Sequence, residues 1–205
     1  VFIMIKEVLR EKELEVLVSQ SSKNGMPYCG DDYFFIHTED YFLCVLADGL
    51  GSGKFAYESS SAVTEEVKNF HHESVDTLMS LSNNTQVNKR GAAVSILKIY
   101  YDTREFVYSS VGNIRFFLYN PESDKLLYPL PVTGYLSGRK QKYHTQRFKF
   151  EPKATFILHS DGIQLQGAKA LLKTKMSLER NAQTILEGNT IHSDDSTFII
   201  GSLLS

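Results

Sequence analysis

The sequence has no tryptophan, five prolines and only two cysteines in 205 residues. Cys29 and Cys44 are too few for a disulfide framework in a chain long enough to bury a core of its own, so both are expected as reduced thiols in a cytoplasmic protein. No cysteine or histidine spacing suits a zinc site. No run approaches the ~18 apolar residues of a membrane span. The opening Val1-Phe2-Ile3-Met4 has no charged segment before it and no small-residue cleavage pattern, so no signal peptide is expected, and Met4 is an alternative start. An excess of charge of either sign is also missing: 22 Lys and Arg stand against 24 Asp and Glu, a formal net charge of −2. With no basic cluster interleaved with aromatics, nucleic acid and membrane are not expected as partners. Internal repeats and low-complexity linkers are absent, and a single domain over residues 1–205 is expected.

What is present is periodic. Tyr33 to His37 and Tyr41 to Ala47 read as strands joined by a polar turn, and Phe42-Leu43-Cys44-Val45-Leu46-Ala47 is apolar throughout, as a strand buried on both faces would be. Phe55, Ser59, Ala62, Val63, Val67 and Phe70 recur at helical spacing, which predicts a helix over Lys54 to Phe70. A second helix follows from Val75, with Ser74 as its N-cap. Strands are then expected at Ala92 to Tyr101, Phe106 to Val111, Arg115 to Tyr119, Leu126 to Tyr128, Arg147 to Phe150 and Ala154 to His159. A helical pair over Ala168 to Lys175 and Ser177 to Glu187 precedes a last strand, Ser196 to Leu203. The polar stretch Ser19-Gln20-Ser21-Ser22-Lys23-Asn24-Gly25 reads as a hinge after a short N-terminal segment. Strand pair, helix pair, strand run, helix pair and final strand, without βαβ alternation, predict an α+β fold of mostly antiparallel sheets with helices on the outer faces.

Four places put aspartate at a strand end: Gly30-Asp31-Asp32, Ala47-Asp48-Gly49, Ser160-Asp161-Gly162 and Ser193-Asp194-Asp195-Ser196-Thr197. Each alone reads as an ordinary turn, since Asp-Gly is a common hairpin signal. Yet both Asp-Gly pairs lead toward helical segments and not into a returning strand. Carboxylates at strand ends can supply a dinuclear site for hard cations such as Mg²⁺ or Mn²⁺, and Gly49 suits a close approach of backbone to an ion. The loop Gly49 to Lys54 is no P-loop, because glycine is missing at Asp48 and Ser or Thr at Phe55. Neither cysteine has a neighbouring base in sequence. His159, two residues before Asp161, is either an outer partner of the site or a packed structural histidine.

The series Gly30-Asp31, Ala47-Asp48-Gly49-Leu50-Gly51-Ser52-Gly53, Ser110-Val111-Gly112-Asn113, Ser160-Asp161-Gly162 and Asp194-Asp195-Ser196-Thr197 resembles the PPM (type 2C) serine/threonine phosphatases, and within them the bacterial branch typified by the sporulation phosphatase SpoIIE. The resemblance runs from about Cys29 to the end. It implies an αββα sandwich, a lone catalytic domain without a sensory domain, and two divalent cations, Mn²⁺ or Mg²⁺. Position by position it makes Asp48 the ligand bridging both metals with the Gly49 carbonyl, has Asp161 and Asp194 complete one metal, and gives Asp31 the second. Asp48 and Asp161 would matter most to catalysis. Asp32 and Asp195 would be supporting neighbours.

By the same resemblance the reaction is hydrolysis of phosphoserine or phosphothreonine by direct attack of metal-activated water. The implied substrates are phosphorylated STAS-domain proteins of a stress-signalling scaffold, the stressosome, met by a monomer. Two departures stand out. Leu50 occupies the position where eukaryotic relatives carry a histidine, and no arginine lies between Glu11 and Arg90, which leaves Lys23 as a candidate substitute for the phosphate-gripping arginine. A non-catalytic phosphatase-like binding module and a small-molecule phosphohydrolase remain as rival readings. The cationic segment Gly134 to Lys142 is a candidate recognition surface.

Overall fold

The computed structural model describes residues 5–204. The expectations for Val1 to Met4 lie outside that range. Eleven strands and four helices are described: β1 (Ile5–Arg10), β2 (Leu14–Ser21), β3 (Asp31–His37), β4 (Tyr41–Gly49), α1 (Lys54–Phe70), α2 (Val75–Asn84), β5 (Ala92–Tyr100), β6 (Glu105–Val111), β7 (Arg115–Asn120), β8 (Lys125–Leu127), β9 (Gln146–Lys149), β10 (Thr155–His159), α3 (Ala168–Leu172), α4 (Leu178–Glu187) and β11 (Ser196–Leu203). The strands form two antiparallel sheets, one in the order β1-β2-β11-β10-β7-β8 and the other β3-β4-β5-β6-β9.

Period-2 side-chain alternation builds the layers. On β4, Phe42, Cys44 and Leu46 enter the core between the sheets, whereas Leu43, Val45 and Ala47 face α1 and α2. On β10, Phe156 and Leu158 point inward and Ile157 points to α3 and α4. Both central strands are thus buried on two faces, which is why their sequences run apolar without a break. The outcome is the expected αββα sandwich. Its inner layer carries an aromatic chain, with Phe42, Phe156 and Phe116 at ring separations of 6.2 and 6.3 Å.

Helix α1 begins and ends where its periodicity predicts, and Val63 and Val67 press on the second sheet. Ser74 caps α2 by accepting the Thr77 N–H at 3.2 Å. The carbonyls of His71, His72 and Glu73, just beyond α1, receive the Lys98 ammonium from β5 at 2.9, 3.3 and 2.9 Å. That ammonium also lies 4.2 Å from the Tyr41 ring centroid, and burial holds its pKa below the usual lysine value.

One expectation is corrected. Ser19-Gln20-Ser21 is no hinge but the end of β2, paired with Phe198, Thr197 and Ser196 of β11. Its polar side chains are kept because they are satisfied across the sandwich: Gln20 Nε2 donates to the Asp31 carbonyl at 3.0 Å and to Thr197 Oγ1 at 3.3 Å. Within this stretch the chain leaves the sheet after Ser21 and makes a single 3-10 turn over Lys23–Gly25.

Candidate metal centre

All the sequence-selected aspartates lie at one end of the sandwich. Asp31 opens β3 and Asp48 is the last residue but one of β4, and the two are register partners. Residues directly opposite in an antiparallel pair share a face. Asp48 follows the alternation of Phe42, Cys44 and Leu46, so this face is the one between the sheets. From the other sheet, Asp161 leaves the end of β10, and Asp194 and Asp195 lead into β11.

Glycines let these segments close on one another. A Cβ on Gly49 would stand 1.9 Å from the Ala56 carbonyl oxygen, and one on Gly162 would stand 2.0 Å from the Asp195 carbonyl oxygen. The sequence reading gave Gly49 the task of approaching an ion. The structure gives its missing side chain a different cause, the passage of α1 against the end of β4.

Asp195 is a clasp. Its carboxylate accepts the Lys23 N–H at 2.8 Å and the Gly30 N–H at 2.9 Å, tying the 3-10 turn and the start of β3 to β11. Asp194 is exposed and accepts the Asp195 N–H at 2.9 Å. Asp161 is exposed and its Oδ2 accepts from Asn113 Nδ2 at 2.6 Å. Asp32 leaves the cluster: Thr64 of α1 donates to its Oδ2 at 2.5 Å. Asp31 is buried, and its Oδ2 accepts from the Ser160 hydroxyl at 2.6 Å. That hydroxyl in turn accepts the Thr197 N–H at 3.0 Å. Asp31 Oδ1 is buried with no hydrogen-bond partner among the described residues.

The electrostatics follow. Burial first, then Asp31, Asp161, Asp194 and Asp195, push the Asp48 carboxyl well above its ordinary value of 3.8. Burial also raises Asp31, partly offset by Ser160, and raises Asp161, with Asp194 adding to it. Among the described residues no three carboxylate, imidazole or thiol side chains draw together as tightly as the ligands of a formed metal centre. What the fold does assemble is an all-oxygen, anionic cluster with one buried carboxylate oxygen left without a donor. Those are the features hard divalent cations satisfy, and Asp31, Asp48, Asp161, Asp194 and the Gly49 carbonyl fit that group.

His159 takes the structural option. It is buried, Nδ1 donates to the Ser160 carbonyl at 2.8 Å, and its ring stacks on Phe117 at 6.3 Å. Both cysteine thiols are pushed far up by burial, and Asp31 adds to the effect on Cys29, so neither supplies a thiolate nucleophile. Asn113, quoted in the motif series without a role, proves to be the partner of Asp161. Its signal was present in the Gly112-Asn113 turn, but only the fold shows what it touches.

Comparison with known proteins decides the lineage. The family model of the stage II sporulation protein E, SpoIIE, matches residues 38–200. The chain belongs to the SpoIIE family. A relative within reach of that family, the phosphoserine phosphatase RsbX of Bacillus subtilis (strain 168), is 40% identical over 197 residues, covering 96% of this chain and 98% of RsbX. The crystal structure of RsbX in complex with magnesium superposes with a TM-score of 0.94 at 41% identity, covering 98% of this chain and all of that one. The phosphatase domain of SpoIIE from Bacillus subtilis matches at a TM-score of 0.80 and 13% identity, covering 93% of this chain and 63% of that one, which is a likeness of fold alone. The SpoIIE-family membership and the PPM-type sandwich expected from the aspartate series are therefore both borne out.

Proposed function

We propose that this protein is a metal-dependent serine/threonine phosphatase that hydrolyses phosphoserine or phosphothreonine on partner proteins. Its two divalent cations, Mn²⁺ or Mg²⁺, would be held by Asp31, Asp48, Asp161, Asp194 and the Gly49 carbonyl. The single observation carrying this reading is the convergence of aspartates from both sheets on one end of the sandwich, with Asp31 Oδ1 buried and undonated. When bound, such cations supply Lewis acidity, lowering the pKa of water and offsetting charge on the phosphoryl oxygens.

The chain's own residues preorganise that chemistry. Ser160 fixes one Asp31 oxygen, the other having no partner among the described residues, and Asn113 orients Asp161. Asp195 spends its carboxylate on backbone N–H groups, so it shapes the site and does not act as a ligand. With Leu50 after the Asp-Gly pair and no thiolate available, no side chain next to Asp48 is suited to protonate the leaving group.

The substrates we propose are phosphorylated STAS-domain proteins of the stressosome, met by a monomeric enzyme in the cytoplasm with one catalytic domain over residues 1–205; the 40% identity to the phosphoserine phosphatase RsbX supports the phosphoserine chemistry. Among the described residues no helix is long and apolar enough to cross a membrane. The test is phosphate release from such a phosphoprotein with Mn²⁺, with Mg²⁺ and with chelator. Turnover that persists in chelator overturns the metal assignment. Turnover of free phosphoserine alone would favour a small-molecule phosphohydrolase, and binding without turnover a non-catalytic module.

A further inference from the structure

We propose that Arg90 grips the phosphoryl group of the substrate, reaching the metal-site loop from the link between α2 and β5. The inference rests on the phosphatase reading above. In sequence Arg90 stands 42 residues beyond Asp48. In the fold the two segments are zipped together. Gly49 pairs with Ala92, and the Leu50 N–H donates to the Gly91 carbonyl at 2.9 Å. The link therefore runs alongside Gly49 to Gly51, the loop that follows the bridging aspartate.

The guanidinium is held against that loop. A Cβ on Gly51 would come within 2.8 Å of Arg90 Nη1, so the glycine makes room for it. Arg90 Cζ lies 5.1 Å from the centroid of the Phe55 ring at the start of α1. Its backbone is fixed from the other side, because Gly91 packs against Tyr135 and the Leu136 carbonyl. Among the described residues no carboxylate pairs with Arg90. By contrast, Lys54 at the start of α1 is turned to Glu58 at 3.7 Å. A guanidinium resting on an aromatic face keeps its in-plane N–H donors for another partner. Those donors match a phosphate oxygen pair, a bidentate contact among the strongest hydrogen bonds proteins make. A phosphomonoester dianion entering a site of five aspartates meets like charge, and a fixed cation at the rim offsets it.

The experiment compares wild type, Arg90→Ala, Arg90→Lys, Phe55→Leu and Lys23→Ala on a phosphoprotein and on p-nitrophenyl phosphate, all loaded with Mn²⁺. Both Arg90 and Phe55 are exposed, so the folded state should survive these changes. A contact to the phosphate made before and during reaction shows in KM, so Arg90→Ala should raise KM for both substrates by roughly 10- to 100-fold with a smaller change in kcat. Lysine should recover only part, because an ammonium lacks the fork. Phe55→Leu should shift KM the same way but less. Calorimetry of inorganic phosphate binding to the Mn²⁺-loaded protein reads the same contact without turnover and should weaken in parallel. An unchanged KM and phosphate affinity in Arg90→Ala, a rise for the phosphoprotein alone, or a rise in Lys23→Ala in place of Arg90→Ala overturns the assignment. Wild-type protein that releases phosphate from neither substrate overturns the phosphatase reading separately, leaving the phosphate-binding comparison to judge Arg90.

Discussion

Asp31 and Asp48 face each other across the β3–β4 ladder, on the face buried between the sheets, and after burial itself it is Asp31 that most makes Asp48 harder to ionise. Like charges directly opposite in a sheet are destabilising, so this pairing costs stability unless a cation accompanies it.

A pH signature follows. A carboxyl whose pKa is raised by folding keeps a proton that the unfolded chain has released, so it contributes stability at low pH that is lost as pH rises above the ordinary value of 3.8. In chelator, the melting temperature should fall between about pH 5.5 and about pH 8, and Mn²⁺ should restore it. His159 works the other way, since its lowered pKa removes stability as pH falls through its ordinary value of 6.5. The informative comparison is therefore with Asp48→Asn, which should be more stable than wild type in chelator at pH 8, with a flatter profile. Thermal melts in both conditions check this.

The two members of the 194–195 pair should separate cleanly. Asp194→Asn should lose activity with little change in melting temperature, because the residue is exposed and accepts one local N–H. Asp195→Asn should lower the melting temperature more and kcat less, because Asp195 is buried and holds Lys23 and Gly30. Asp48→Asn and Asp161→Asn should each cost on the order of 10²-fold or more in kcat. Equal and mild effects at all four positions would return them to ordinary turn residues.

Ser160→Ala removes the hydroxyl that orients Asp31 without replacing any proposed ligand. The Mn²⁺ concentration for half-maximal activity should rise about 10- to 100-fold, with activity recovered at saturating metal. Metal titrations of variant and wild type measure the shift.

The segment Gly134 to Lys142 offers a separable test. Its backbone is pinned: Asn83 Oδ1 accepts the Ser137 and Gly138 N–H groups, and Asn83 Nδ2 donates to the Arg139 carbonyl. The exposed side chains of Arg139, Lys140 and Lys142 are therefore free to change without loss of the loop. Replacing all three with Ala should raise KM for a phosphoprotein, in a salt-sensitive way, while leaving p-nitrophenyl phosphate turnover nearly unchanged. A parallel loss on both substrates would make the segment a support of the site.

The helices and central strands were legible because their residues obey one simple rule, a period of 3.6 or of 2 against a core. Helix α1 and the Ser74 cap needed nothing more. β1 and β2 were not read as strands, because Ser19, Gln20 and Ser21 look like linker until their partners on β11 and β3 are known. A buried polar run carries no signal of its own burial. The aspartates were legible as a series, but the division between ligand and clasp at Asp194 and Asp195 came from resemblance, and only the bonds to Lys23 and Gly30 give it a cause. Arg90 was invisible to spacing, since its proximity to Gly51 depends on the register of β4 against β5.

Helix α1 is fastened at both ends, by the close passage of Gly49 under Ala56 at its start and by the Lys98 ammonium just past its finish. Its 17 residues make a rigid strut about 25 Å long. The pressure that keeps the end of β4 in place is therefore anchored at the far side of the molecule. A substitution at Lys98 would loosen that strut at its footing and be felt at Asp48, with no atom of the site altered.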